Sequence, residues 1–189
     1  MEMEFFDVCN EQGEPTGEVV SREIAHRDGI LHRTSHVWIL REKAGKKQVL
    51  LQKRSMQKDS YPGMYDTSSA GHIPAGEAPL SSALRELEEE LGIRATPDQL
   101  RYVGNFRIEY EEEFHHKRFW DNEFIHVFIY TKSVEISDLT FQPLEVEGAQ
   151  WFDLEEVWKE IQGRSERFCV SSKGMQVLKA YLDDHKARP

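Results

Sequence analysis

Four glutamates stand among the five residues from Glu86 to Glu90, directly after a turn rich in Gly, Pro and Ala. Pro79 through Leu91 reads as a helix, because proline suits a first turn and Gly92 supplies the stop. At about 100° per residue, Leu84, Leu87 and Leu91 share one face, which must be buried against a flat apolar surface such as a sheet. Glu86, Glu89 and Glu90 share another face, since positions three and four apart are neighbours, while Glu88 points elsewhere. Like charges so placed repel by about 0.2–0.5 kcal/mol per exposed pair. Two accounts fit that arrangement. One is a solvated acidic face; the other is a set of oxygen ligands for hard cations such as Mg²⁺ or Mn²⁺.

The flanking sequence supplies the sheet that such a helix needs. "FFDVCNEQGEPTGEVV" reads as a hairpin about a Gly-containing turn, and "SREIAHRDG" as a helical turn ending near Gly29. "TSHVWILRE" and "KQVLLQKRS" form a second hairpin across "KAGKK". Pro62 and Gly63 mark a loop, and "MYDTSSAGHI" is a short strand leading into the acidic segment. "LRYVGNFRIEY" and "NEFIHVFIYTKS" alternate as paired strands, joined by "EEEFHHKRFWD" as a loop or a strand extension. "AQWFDLEEVWKEIQ" passes from a strand to a helix with Asp153 as its cap. "SSKGMQVLKAYLDDHKAR" is a final amphipathic helix. Strands mixed with a few helices predict an α/β or α+β sandwich, one domain over residues 1–189.

Bulk properties narrow the function. The net charge of −10 argues against binding a nucleic acid polymer through its phosphates. It also means that any phosphorylated substrate must be drawn in by something other than this surface. No apolar run is long enough to span a bilayer. The two cysteines, Cys9 and Cys169, form no zinc or redox motif, so a reducing, cytoplasmic setting is expected.

The glycines framing the acids decide between the two accounts of the helix. Gly71, Glu77, Arg85, Glu86, Leu87, Glu89, Glu90, Gly92 and Ile93 follow the spacing G-x5-E-x7-R-E-U-x-E-E-x-G-U, where U is a bulky aliphatic residue. The segment is identified as a complete Nudix box, residues 71–93. Resemblance to that superfamily implies an α/β/α sandwich with a mixed sheet, here carrying an N-terminal β-hairpin extension over 1–33 and a C-terminal helix. It also implies divalent-metal-dependent cleavage of a diphosphate linked to another group. By the same resemblance Glu86, Glu89 and Glu90 are metal ligands, and the carbonyl of Ala70 adds one. Glu77 and Arg85 form a structural ion pair, with Gly71 and Gly92 as turn glycines.

"DVCNEQGEPTG", "AHRDGILHR", "LLQKRS", "YPGMYDTSSAGH" and "WDNEFIHVF" further resemble the isopentenyl-diphosphate isomerase branch. In the isomerases a cysteine before Gly-His transfers the proton; here that position is Ala70, which has none to transfer. The isomerases also keep few of the box acids, whereas all are present here. Both departures favour hydrolysis. The resemblance carries over a second metal set of His26, His32, His72, Asp121 and Glu123, with His26 one residue out of the expected spacing. Taken singly, each histidine is better read as a hydrogen-bonded structural residue, and only the grouping with Asp121 and Glu123 favours a metal. Glu123 is also the candidate acid outside the box, as base or metal ligand. Arg54 and Lys58 match a pair that grips a diphosphate, where a guanidinium holds two oxygens and an ammonium adds a point charge; Lys53 and Arg33 are lesser candidates. His115 to Arg118 is a basic cluster read as solvated surface.

The expected activity is therefore Mg²⁺- or Mn²⁺-dependent hydrolysis of a small-molecule diphosphate, with nucleoside diphosphate derivatives favoured by family habit. Isomerase-type chemistry and a non-catalytic nucleotide-binding sensor are the alternatives. A homodimer is the expected assembly by the same analogy.

Overall fold

The structure is a computed structural model and describes residues 3–186 apart from Asp59 and His115. The His115 end of the basic cluster thus lies outside the described residues, and Arg118 within it pairs with Glu111 at 2.6 Å.

Strands β1 (Phe5–Cys9) and β2 (Pro15–Ser21) form a separate antiparallel hairpin. Helix α1 (Arg22–Asp28) begins where the Ser21 hydroxyl accepts from the Ile24 N–H, and it ends at Gly29 with φ +64°. There follow β3 (His32–Lys43), β4 (Lys46–Arg54), β5 (Tyr65–Asp66), β6 (Ser69–His72) and α2 (Pro79–Leu91). The chain closes with β7 (Leu100–Phe114), β8 (Lys117–Tyr130), β9 (Val146–Asp153), α3 (Leu154–Ile161) and α4 (Ser172–Lys186). The β3–β4 turn places Ala44 and Gly45 at φ +51° and +74°, the left-handed pair that a tight two-residue hairpin requires. "EEEFHHKRFWD" resolves as strand extension: β7 and β8 pair as far as Phe114 and Lys117.

The main sheet runs β5-β4-β3-β8-β7, with β6 paired to β3 and β9 to β4. β3 and β8 are parallel at its centre and the other pairings are antiparallel. Alternation along β3 sends Trp38 to one face and Val37 and Ile39 to the other. On the first face Trp38, Val127 and Phe152 pack against α3 and α4 through Val157, Met175 and Leu178. On the second, Val37, Ile39 and Leu50 meet Ala83, Leu87 and Leu91 of α2. This is the α/β/α sandwich that the resemblance implies, and the leucine face of α2 lies on the sheet as its periodicity predicts. Leu87 and Leu91 are fully buried, each contributing about 1.5–3 kcal/mol, which fixes which side of α2 looks away from the core.

Candidate active site

β6 carries the geometry. It is four residues long, and its last three each meet a different acidic group. The Ala70 N–H donates to Glu90 Oε2 at 3.0 Å. Gly71 lies directly beneath Glu86: a Cβ on it would stand 2.1 Å from the Glu86 carboxyl carbon. His72 presents Nε2 3.4 Å from Glu123 Oε1.

The box acids are not equivalent. Glu90 is buried, and it accepts from Gln52 Nε2 at 3.2 Å as well as from Ala70. Burial, and then the charge of Glu86, push its pKa up to about 8. Burial likewise pushes Glu86 up to about 7. Glu89 is half exposed, and Arg85 Nη1 stands between it and Glu86, 2.9 and 2.8 Å away. The helix therefore does not turn three free carboxylates on one point. The nearest guanidinium offsets the repulsion between Glu86 and Glu89, and Glu90 is drawn under the strand. Arg85 stands 3.9 Å from Glu77, the expected pair at long range, while Glu77 accepts from the Ser82 hydroxyl at 3.0 Å. The Arg85 guanidinium also donates to the His72 carbonyl at 3.2 Å, so it ties α2 to β6. Gly92, at φ +72°, closes the helix by donating to the Glu88 carbonyl.

A second group is assembled from four elements. His26 comes from α1, His32 from β3, His72 from β6, and Asp121 and Glu123 from β8. Parallel pairing sets His32 opposite Glu123. Ligand atoms of His26, His32 and His72 lie within 4.8 Å of one another, as do those of His32, Asp121 and Glu123. His26 belongs to the group despite its shorter spacing, because the Gly29 turn lets α1 fold back over the start of β3. His26 Nδ1 is 3.5 Å from Asp121 Oδ1. His32 Nδ1 lies 2.8 Å from the Ile30 carbonyl; a carbonyl only accepts, so Nδ1 carries the proton and Nε2 a lone pair. That lone pair faces Glu123 Oε1 at 3.9 Å. Burial holds His32 down to about 4, and His72 well below its ordinary value. Burial, with Asp121 beside it, raises Glu123 well above the usual carboxylate range.

Of the basic candidates, Arg54 is spoken for. It donates to Asp66 Oδ2 at 3.0 Å and to the Ser60 carbonyl at 2.9 and 3.0 Å. Lys58 is bonded to Glu145, and its charge reaches both Glu90 and His72. Lys53 pairs with Glu147 at 3.3 Å. Arg33 pairs with Asp7 at 2.7 Å and donates to the Glu77 carbonyl, a scaffold role. Sequence reasoning passes over Gln52 and Glu145. Gln52 carries no signal, being one of two glutamines that flank the apolar run Val49 to Leu51. Glu145 is one acid in a turn, and only the fold brings it beside Lys58 and within electrostatic reach of Glu86.

A NUDIX domain profile matches residues 31–171. The chain belongs to the Nudix family. It is 36% identical over 179 residues to an uncharacterised Nudix hydrolase of Clostridium acetobutylicum, covering 92% of this chain and 84% of that protein. It is 30% identical over 163 residues to an isopentenyl-diphosphate Delta-isomerase of Escherichia coli, covering 85% and 83%. The structure of DR0079 from Deinococcus radiodurans shares the fold, with a TM-score of 0.67 and 21% identity over 94% of this chain and 99% of that one. As a Nudix hydrolase the chain is an enzyme of the pyrophosphohydrolase class. Both free cysteines lie outside the acid groups, and the position before Gly71 is Ala70. Among the described residues no helix is long and apolar enough to cross a membrane.

Proposed function

We propose that this Nudix enzyme hydrolyses the diphosphate linkage of a nucleoside diphosphate derivative, using divalent cations, Mg²⁺ or Mn²⁺, held at the two acidic groups on either side of β6. The observation that carries this reading is a set of buried ring nitrogens and a carboxylate oxygen that make no hydrogen bond: His26 Nδ1 and Nε2, of which one carries the proton, His32 Nε2, His72 Nε2 and Asp121 Oδ1. A buried polar atom left unpaired costs about 1–3 kcal/mol, and five in one place fit a cation with nitrogen and oxygen ligands. The low pKa values of His32 and His72 keep them neutral, which is the ligand form.

His26, His32, His72, Asp121 and Glu123 would hold one ion; Glu86, Glu90 and Glu89 would hold another, with the Ala70 carbonyl at its edge. Bound there, divalent cations supply neutralisation of the diphosphate charge and acidify water. Lys58 would anchor the far phosphate, and Arg54, matched to the same role by sequence, would hold the loop that carries Lys58 through its bonds to Ser60 and Asp66. Glu123, or a box carboxylate, takes the proton as water attacks phosphorus and the bridging phosphate oxygen departs. Cations rather than the acidic surface then attract the substrate, which accounts for a net charge of −10.

The test is a screen of diphosphate compounds with Mg²⁺ and Mn²⁺, run beside Glu90→Gln. Gln keeps an acceptor for the Ala70 N–H, so the variant stays folded and loses most turnover. Equal phosphate release by wild type and variant would overturn the assignment. Isomerase chemistry has the histidine group in its favour, but Ala70 leaves it without a proton donor at that position. Deuterium entering isopentenyl diphosphate from heavy water would establish it instead.

A further inference from the structure

Phe6 of β1 lies against the histidine group. It is 1% exposed, and its ring runs nearly parallel to two imidazoles. Its centroid stands 5.0 Å from that of His32 at an interplanar angle of 11°, and 4.6 Å from that of His72 at 8°. The two imidazoles are themselves only 5.2 Å apart at 19°, so the phenyl ring covers both and does not separate them. His26 meets the same ring edge-on at 6.4 Å.

β1 is anchored on either side of Phe6. The Phe5 carbonyl accepts from the Ala75 N–H at 2.8 Å. Asp7 Oδ2 accepts from the Gly76 N–H at 2.9 Å and from Arg33 at 2.7 Å, and Phe6 itself bridges to Pro74. These contacts grip the loop that follows His72, so they set how closely the phenyl ring approaches its imidazole.

Nothing intrinsic sets the plane of an imidazole. The torsion between Cβ and the ring is broad, so the neighbours choose the angle. His32 has the Ile30 carbonyl 2.8 Å from Nδ1 to hold it. The Nδ1 of His72 instead meets Arg22 Nη1 at 3.5 Å, the far limit of a hydrogen bond, and Arg22 is already paired with Glu4 at 2.7 Å. Turning either imidazole would drive its edge into the face of Phe6. In the planes that Phe6 allows, both Nε2 atoms face a single oxygen, Glu123 Oε1, at 3.9 Å from His32 and 3.4 Å from His72.

We infer that Phe6 is a positioning residue of the histidine group: it sets the ring planes of His32 and His72 so that their Nε2 atoms converge before a cation arrives, and His72 depends on it more than His32 does. The N-terminal hairpin is thereby a working part of the site. The inference rests on the metal reading of that group. A flat apolar wall directs a ligand without competing for its lone pair, and groups just outside a ligand shell are worth on the order of 10–100-fold in metal affinity.

The test reads ring order and metal affinity apart. Nitrogen–proton NMR spectra of the imidazoles in the metal-free full chain should show one sharp environment for His72 in wild type. Phe6→Leu and Phe6→Met keep an apolar side chain in the space but remove the flat face. In both, the His72 resonances should broaden or average, while those of His32 change less. In calorimetric titrations with Mn²⁺, the binding that His72→Ala removes should weaken on the order of tenfold in the same two variants. Leu100→Ala, in the strand pair where Leu100 faces Tyr130 well past Glu123, lowers Tm by leaving a cavity and keeps both readouts as in wild type. The inference is overturned if the Phe6 variants keep wild-type ring spectra or wild-type Mn²⁺ affinity, or if Leu100→Ala weakens Mn²⁺ binding as much as they do. Wild type that binds no Mn²⁺, or binds it no better than His72→Ala, removes the metal reading instead. Ring order lost in the Phe6 variants then still upholds the positioning role, and ring order kept refutes it.

Discussion

Gly71 and Glu86 are packed so closely that no side chain fits between them: a Cβ on Gly71 would lie 2.1 Å from both Glu86 Cδ and Oε1. The obstacle is the far end of a flexible side chain, so it can move aside at small cost. Gly71→Ala is therefore expected to fold normally and to lose on the order of a hundredfold in kcat, the scale of a misplaced reacting group. A thermal melt alongside steady-state kinetics checks this. An active Gly71→Ala enzyme would mean that Glu86 is not needed where it stands.

Arg54 and Lys58 separate stability from affinity. Arg54 is mostly buried and shared between Asp66 and Ser60, with side-chain exposure of 15% against 17% for Asp66. Removing it leaves the Asp66 carboxylate largely desolvated and without a cation, so Arg54→Ala is expected to cost about 3 kcal/mol of stability as well as activity. Lys58 is more accessible and its partner Glu145 more so; Lys58→Ala is expected to cost less than about 1 kcal/mol while raising KM for the diphosphate about tenfold. Denaturant titration and substrate saturation curves distinguish the two.

Much of the fold was legible because it depends on patterns a single chain displays. The leucines of α2 announced a sheet beneath them, and Gly29, Gly45 and Gly92 marked ends that the backbone then took. The candidate site was legible by spacing where its residues are close in sequence, as for Gly71 to Gly92. It was less so where parallel pairing assembles it. Nothing in the order of residues says that His32 stands opposite Glu123, or that α1 swings His26 into the same group. The disposition of the box acids was the weakest reading. Helical spacing places Glu86, Glu89 and Glu90 together, but Arg85, four residues before Glu89 on the same helix, stands between two of them, and Ala70 draws the third inward from a strand that the helix period does not show.

Asp153 caps α3, accepting from the N–H groups of Glu155 and Glu156 at 3.0 and 3.2 Å, with Lys46 3.2 Å away. Those hydrogen bonds hold its carboxyl below the usual range. Asp153→Ala should lower stability by about 1 kcal/mol. Because the native pKa is depressed, the difference from wild type is fully present above the ordinary aspartate value of about 4. It fades as pH falls through the lower native value. Paired urea titrations at pH 7 and pH 3 read this directly; an unchanged difference would show that the cap acts without its charge.

The unpartnered ligand atoms of His26, His32, His72 and Asp121 predict a linkage between metal and stability. An ion that binds only the folded chain stabilises it by about 2.7 kcal/mol at a hundred times its dissociation constant. For a chain of this length that raises Tm by roughly 5–10 °C. Mn²⁺ is expected to produce such a shift in wild type after chelation and dialysis. In His72→Ala the shift should shrink or vanish, because that change removes a ligand from the three-histidine group and leaves Glu123 with one imidazole neighbour fewer. Glu89→Gln, on an exposed side chain already held by Arg85, should keep most of the shift. Manganese that stabilised His72→Ala as much as wild type would place the ion elsewhere, and the histidines would then be a structural cluster whose unpaired atoms need another explanation.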